Sequence, residues 1–90
     1  MLAIYQTSQF RADLKRARKR DRNLLLLGEV VNKHQNEEPL PAARRDHALT
    51  GDYAGNRECH IQPDWLLIYR VDHGQLILVL QRTGSHSDLM

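Results

Sequence analysis

From Arg57 to Tyr69 the chain alternates and then stops alternating, and that change limits what the whole can fold into. In Arg57-Glu58-Cys59-His60-Ile61-Gln62 polar and apolar residues take turns, as they do in a strand with one buried face. After Gln62-Pro63-Asp64 the run Trp65-Leu66-Leu67-Ile68-Tyr69 is apolar throughout, the pattern of a strand at the centre of a sheet. The spacing therefore predicts two paired strands joined by a tight reversal. His60 and Asp64 flank that reversal, on the rigid edge of the sheet, where groups that move protons are best held.

The remaining elements arrange themselves around this pair. Ala3 to Gln6 reads as a short first strand, and Thr7 or Ser8 can cap the helix that follows. Phe10, Leu14 and Ala17 recur at helical spacing and give that helix one apolar stripe. Asp21-Arg22-Asn23 breaks the pattern and starts a second helix, which carries Leu24, Leu27, Val30 and Val31 inward and stops at Asn36. Gly28 inside it costs roughly 1 kcal/mol against alanine, so it is read as a point of close packing. From Gln35 to about Gly55 the chain is polar and irregular, punctuated by Pro39, Pro41, Gly51 and Gly55. Irregular stretches of that length in small domains are commonly functional. Strand Trp65 to Asp72, a reversal at Asp72-His73-Gly74 and strand Gln75 to Gln81 complete the pattern. The expectation is one α+β domain over residues 1–90, ordered β-α-α-β-β-β, with a helical hairpin packed on a small, mainly antiparallel sheet.

Composition excludes several classes. Ninety residues support one small core, and the longest apolar runs are far short of a membrane span. The N-terminus lacks the basic and apolar regions of a signal peptide. A single cysteine, Cys59, excludes an internal disulfide, so a cytoplasmic location is expected, with Cys59 packed as a small buried residue. Net charge is only +2, yet seven of the 13 Lys and Arg residues (Arg11, Lys15, Arg16, Arg18, Lys19, Arg20 and Arg22) lie in one block. Such a block suits a polyanion or an acidic protein partner; a solvated helix face would read the same way.

The residues allow some chemistries and not others. His47, His60, His86 and Asp64 are metal-ligand types, but no pair has the short spacing of zinc motifs. No nucleophile elbow and no glycine-rich phosphate loop is present. General acid–base work fits better, because an imidazole of pKa about 6.5 both takes and gives protons near neutrality. RNA supplies its own nucleophile, the ribose 2′-OH. Cleaving it takes a base, an acid, a cation over the phosphate and a surface that fixes the geometry in line. His47, His60, Asp64 and His86 are the candidates for proton transfer, and Arg82 is the natural cation, since its fork matches two phosphate oxygens. Arg44 and Arg45, beside His47, could hold a phosphate chain; alternatively Leu49 anchors that loop and leaves His47 at the surface. Trp65 and Tyr53 are aromatic, although a tryptophan in such a run fills a core more often than it stacks on a base. His73 is a turn residue with no assigned role. The histidines at 34, 47, 60, 73 and 86 fall thirteen apart, but their surroundings share nothing else, so this is no repeat.

Taken together, Asp46-His47-Ala48-Leu49-Thr50-Gly51, Tyr53-Ala54-Gly55, the Arg57 to Tyr69 stretch and Gln81-Arg82-Thr83-Gly84-Ser85-His86 carry a resemblance. The chain resembles the bacterial RelE/ParE toxin superfamily, its YafQ-type branch in particular, nearly end to end. The helical half matches mainly in pattern. The resemblance implies the RelE-like microbial RNase fold and a toxin that enters the A site of the 70S ribosome and cleaves translated mRNA without a metal or other cofactor. It also implies a protein antitoxin of DinJ/RelB type, encoded alongside, that holds the toxin inactive. His47, His60, Asp64 and His86 carry over as the acid–base set, Arg82 as the phosphate-stabilising cation and Trp65 as a neighbour shaping the substrate pocket. YafQ-type toxins tend to place an aromatic near the C-terminus where this chain has Met90, a weaker stacking surface for mRNA. Arg11, Lys15, Arg18 and Lys19 would meet ribosomal RNA with little regard to sequence. Two alternatives share these features: a ParE-like toxin of the same fold that inhibits gyrase, and a non-catalytic basic nucleic-acid-binding module.

Overall fold

The computed structural model describes residues 1–90. Strand β1 (Ala3–Gln6) leads into helices α1 (Ser8–Lys19) and α2 (Leu24–Gln35), followed by β2 (His47–Ala48), β3 (Arg57–Gln62), β4 (Trp65–Asp72), β5 (Ile77–Gly84) and a one-turn helix α3 (His86–Leu89). The five strands form one sheet in the order β1-β5-β4-β3-β2, with β1 parallel to β5 and every other pair antiparallel.

The caps explain where the helices begin. Thr7, not Ser8, accepts from the Phe10 backbone N–H at 3.0 Å and donates its own hydroxyl to Gln81 O at 2.9 Å, which ties the start of α1 to the sheet. Asn23 caps α2 by accepting from the Leu25 N–H at 3.1 Å, and Asn36 ends it. The core lies between this hairpin and one sheet face, where Phe10, Ala17, Leu27 and Val30 meet Cys59, Ile61, Leu67, Tyr69, Leu78 and Leu80. Leu66 and Ile68 point to the other face and are covered by Leu89, Leu49 and Tyr53. Both faces of β4 are therefore covered, and its sequence is apolar without alternation for that reason. Each large apolar side chain buried there contributes about 2 kcal/mol over an exposed copy.

The structure departs from the predicted pattern in four places. The irregular stretch holds β2, a two-residue strand too short to show periodicity, flanked by 3₁₀ turns at Ala42–Arg44 and Gly51–Tyr53. Strand β5 begins at Ile77 rather than Gln75, because Leu76 adopts a left-handed φ of 57° and prolongs the turn. The tail forms α3. Gly28 is exposed, and a methyl group there would meet nothing within 4 Å, so the close packing read from the sequence is absent. Gly28→Ala is accordingly expected to stabilise the fold by about 1 kcal/mol, read as a higher midpoint in urea; a lower midpoint would show a constraint at that position.

Candidate active site

Cross-strand neighbours share a sheet face. The registers place His47 opposite Glu58, Glu58 opposite Ile68 and Ile68 opposite Arg82, and one step along they place His60 opposite Leu66 and Leu66 opposite Gly84. Those rows lie on the face away from α1 and α2. β5 ends at Gly84, so His86 at the start of α3 comes up beside the β3–β4 turn that holds Asp64. In this way the backbone gathers His47, His60, Asp64, Arg82 and His86 from distant parts of the chain onto one face.

The three imidazoles are oriented alike. His47 Nδ1 lies 2.6 Å from Arg45 O, His60 Nδ1 lies 3.3 Å from Pro63 O, and His86 Nδ1 lies 2.7 Å from Asp64 Oδ1. A carbonyl or a carboxylate oxygen only accepts, so each Nδ1 carries the proton and each Nε2 is left to take one. The rings of His60 and His86 are 5.6 Å apart. Asp64 is held below the usual carboxylate range by the His86 backbone N–H and then by its ring, and so stays ionised as the partner of His86.

Glu58 was not singled out from the sequence. It is buried, and its Oε1 lies 3.7 Å from His47 Nε2 and 3.8 Å from His60 Nε2, while Oε2 makes no hydrogen bond. Glu58 thus sits between the two imidazoles and bridges β2 to β3 on this face. The signal was available: alternation along β3 puts residues 58 and 60 on the same face.

The cations are placed less simply. Arg82 donates from Nε and Nη2 to Asp13 at 2.7 and 3.1 Å, and its Nη1 lies 3.5 Å from Tyr53 Oη. Asp13 is only 3% exposed and also accepts from Arg16 and from the Thr83 N–H, both at 3.1 Å. The Arg82 fork is thus fixed on α1, and one Nη1 hydrogen, beside the long bond to Tyr53 Oη, remains for a phosphate. Arg44 and Arg45 line a cavity of about 630 Å³ together with His60, Gln62 and Pro63. Arg44 donates to Ile61 O, while Arg45 is exposed. Met90 is exposed beyond α3, and Arg11, Lys15, Arg18 and Lys19 are exposed along α1.

Trp65 requires a correction. It is fully buried, donates Nε1–H to Thr83 Oγ1 at 2.9 Å and lies under the Arg22 guanidinium. Its ring cannot meet a substrate, and it supports the site only by packing beneath the turn that carries Asp64. The apolar run that follows it already marked a core residue.

Helix α3 is locked by a small network. Ser85 accepts from the Asp88 N–H, and Asp88 accepts from the Ser85 N–H at 2.9 Å, a capping box. Asp88 also holds Arg20 at 2.7 Å, and that pairing keeps its carboxyl well below the usual range. The ordinary φ of Gly84 would suit any residue, but a Cβ there would sit 2.9 Å from Asp88 Cβ and 3.0 Å from Arg16 Nη2. Gly84→Ala is therefore expected to push α3 outward and move His86. Any proton-transfer activity of this face should fall about 100-fold, as a misplacement near 1 Å can cause, while the thermal midpoint drops only modestly. Full activity in that variant would show that α3 tolerates the shift.

The chain matches known proteins over this whole arrangement. The family described as the bacterial toxin of type II toxin–antitoxin systems, YafQ, matches residues 2–90. The mRNA interferase toxin YafQ of Escherichia coli (strain K12) is 37% identical over 90 residues, covering 96% of this chain and 92% of that protein. A metal-bound toxin from Helicobacter pylori superposes with a TM-score of 0.94 at 41% identity, with 100% of both chains covered. The E. coli DinJ–YafQ toxin–antitoxin complex matches with a TM-score of 0.88 at 36% identity, over 99% of this chain and 97% of that one. The fold is the RelE-like one, and this chain belongs to the YafQ family of type II toxin–antitoxin toxins.

Proposed function

We propose that the protein is a ribosome-dependent endoribonuclease that cuts translated mRNA in the A site by acid–base catalysis and is neutralised by a DinJ-like antitoxin. One observation carries this reading: three imidazoles with their Nε2 atoms unbonded share a sheet face with Asp64 and Glu58, with Arg82 in the same cross-strand row. The curated relative is named an mRNA interferase, and the E. coli homologue has been crystallised with DinJ; both support the proposal.

The chemistry follows from the groups present. One neutral Nε2 takes the proton of a ribose 2′-OH, and the 2′-oxygen attacks the adjacent phosphorus. The bond to the 5′-oxygen breaks, and a protonated imidazole delivers a proton to that leaving oxygen. The upstream fragment then ends in a 2′,3′-cyclic phosphate and the downstream one begins with a 5′-hydroxyl. An imidazole serves either role, as a base when neutral and as an acid when protonated. Asp64 fixes the tautomer and direction of the His86 ring, and Glu58 lies near the Nε2 atoms of His47 and His60. Arg82 Nη1 and the exposed Arg45 face the phosphate charge, and the Arg11, Lys15, Arg18 and Lys19 stripe meets ribosomal RNA.

Two solved relatives from Helicobacter pylori are metal-bound, one of them with copper. In this chain the proton-transfer groups do not bring three ligand atoms together; the side chains that do are elsewhere. Purified ribosomes translating a defined message test the proposal. The protein should cut that message within the A-site codon and leave ribosome-free mRNA intact. Inhibition of gyrase supercoiling with no cut message would replace this reading with the ParE-like one.

A further inference from the structure

Behind the sheet, three side chains remote in sequence meet at ligand distances. His34 lies in the last turn of α2, Asp46 just precedes β2, and Cys59 projects from β3 to the helix-covered face, opposite to Glu58 and His60. His34 Nε2 is 3.5 Å from Cys59 Sγ and 3.8 Å from Asp46 Oδ2. The three ligand atoms all lie within 4.8 Å of one another, and no other group of His, Cys, Asp and Glu does so.

We propose that His34, Asp46 and Cys59 bind one divalent ion of the zinc class, at a site distinct from the proton-transfer groups. A tetrahedral zinc with bonds of about 2.3 Å to sulfur and 2.0 Å to nitrogen holds those two atoms roughly 3.5 Å apart, which is the spacing found. To complete the trigonal base the carboxylate oxygen closes by about half an ångström on His34 Nε2 and by up to about an ångström on Cys59 Sγ, a movement within reach of a side-chain rotation. Its outer support is in place: Asp46 Oδ1 accepts from Arg57 Nε at 2.8 Å and Oδ2 accepts from the Tyr69 hydroxyl. The His34 ring lies against the Tyr69 ring, centroids 3.9 Å apart, which fixes its direction. A solvent-open cavity of about 590 Å³, lined by His34, Asp46, Arg57 and Tyr69, offers an access route and room for a water as fourth ligand.

Thiolate, imidazole and carboxylate together select zinc-like ions over magnesium or calcium. Burial pushes the Cys59 thiol up to about 12, so it holds its proton until an ion arrives. Binding exchanges the Sγ–H bond for a metal–sulfur bond, the proton leaves to solvent, and no electron is transferred. The ion would tie the end of α2 to β3 and to the segment bearing His47. The metal site and the catalytic face thus share one backbone loop.

Cobalt(II), titrated alone into the purified chain at neutral pH, tests this. Cys59 is the only cysteine, so a sulfur-to-cobalt charge-transfer band in the near ultraviolet can arise nowhere else. The expected result is that band at one equivalent, tetrahedral visible absorption and release of one proton per ion. The band should vanish in Cys59→Ala, and His34→Gln should weaken cobalt binding at least about tenfold. Cobalt bound without a sulfur band would belong to the surface histidines and overturn the proposal. So would absent binding, or a His34→Gln variant that keeps the full band and affinity. Because the wild-type spectrum decides by itself, a variant that fails to fold leaves the test intact.

Discussion

His86→Ala is expected to lower mRNA cleavage on ribosomes by about 10²–10⁴-fold, the usual contribution of one positioned proton-transfer group. His86 is exposed, and apart from its backbone its side chain bonds only Asp64, so the urea midpoint should move by no more than about 0.5 kcal/mol equivalent. His73→Ala is the matched control. His73 is exposed in a turn, paired with Glu37 at 2.8 Å and away from the catalytic face, and its loss should leave cleavage unchanged. Asp64→Asn should give a smaller loss than His86→Ala, because it removes the orienting charge but leaves the ring. A folded His86→Ala variant that cuts at the full rate would take His86 out of the chemistry.

Arg82→Ala is expected to damage folding as well as cleavage. The guanidinium neutralises Asp13, which is almost fully buried, and leaving such a carboxylate short of a partner costs about 3 kcal/mol. Arg16 and the Thr83 N–H stay on Asp13 and soften that figure. A loss of activity in Arg82→Ala therefore says little unless stability is measured beside it. A double-mutant cycle with Asp13→Asn separates the two roles. Coupling on the order of 1–3 kcal/mol is expected between them in urea denaturation, and Arg82→Ala should still cut slowly at temperatures where the variant is fully folded. An unchanged urea midpoint for Arg82→Ala would mean that the ion pair has no structural weight.

Much of this architecture is legible in the residues because local patterns and the burial they report agree. The helix stripes, the caps at Thr7 and Asn23, and the switch from alternation in β3 to a continuous apolar β4 each signal one element. β2 is hidden because two residues carry no period. α3 is a single turn, and its only mark is the Ser85–Asp88 capping box. Among the site residues, type and turn position pointed to His60 and Asp64, and type alone to His86; the end of β5 at Gly84 and the bonds from His86 to Asp64 then bring them together. Asp13 and Glu58 escape notice for the same physical reason: each is a buried carboxylate whose partners lie on another element, and no local spacing encodes a tertiary ion pair. His34 is hidden likewise. It falls on the inward stripe of α2, yet its partners Asp46 and Cys59 come from a loop and a strand. Trp65 errs in the opposite direction, a conspicuous residue that is fully buried in the core.

The claim that protein side chains drive attack by the ribose 2′-OH is tested most directly by the ends of the cut message. Transcripts cleaved on purified ribosomes should carry a 2′,3′-cyclic phosphate on the upstream fragment and a 5′-hydroxyl on the downstream one, and His86→Ala should yield neither. A 3′-hydroxyl paired with a 5′-phosphate would mean that water, not the 2′-oxygen, attacks phosphorus, and would contradict the account.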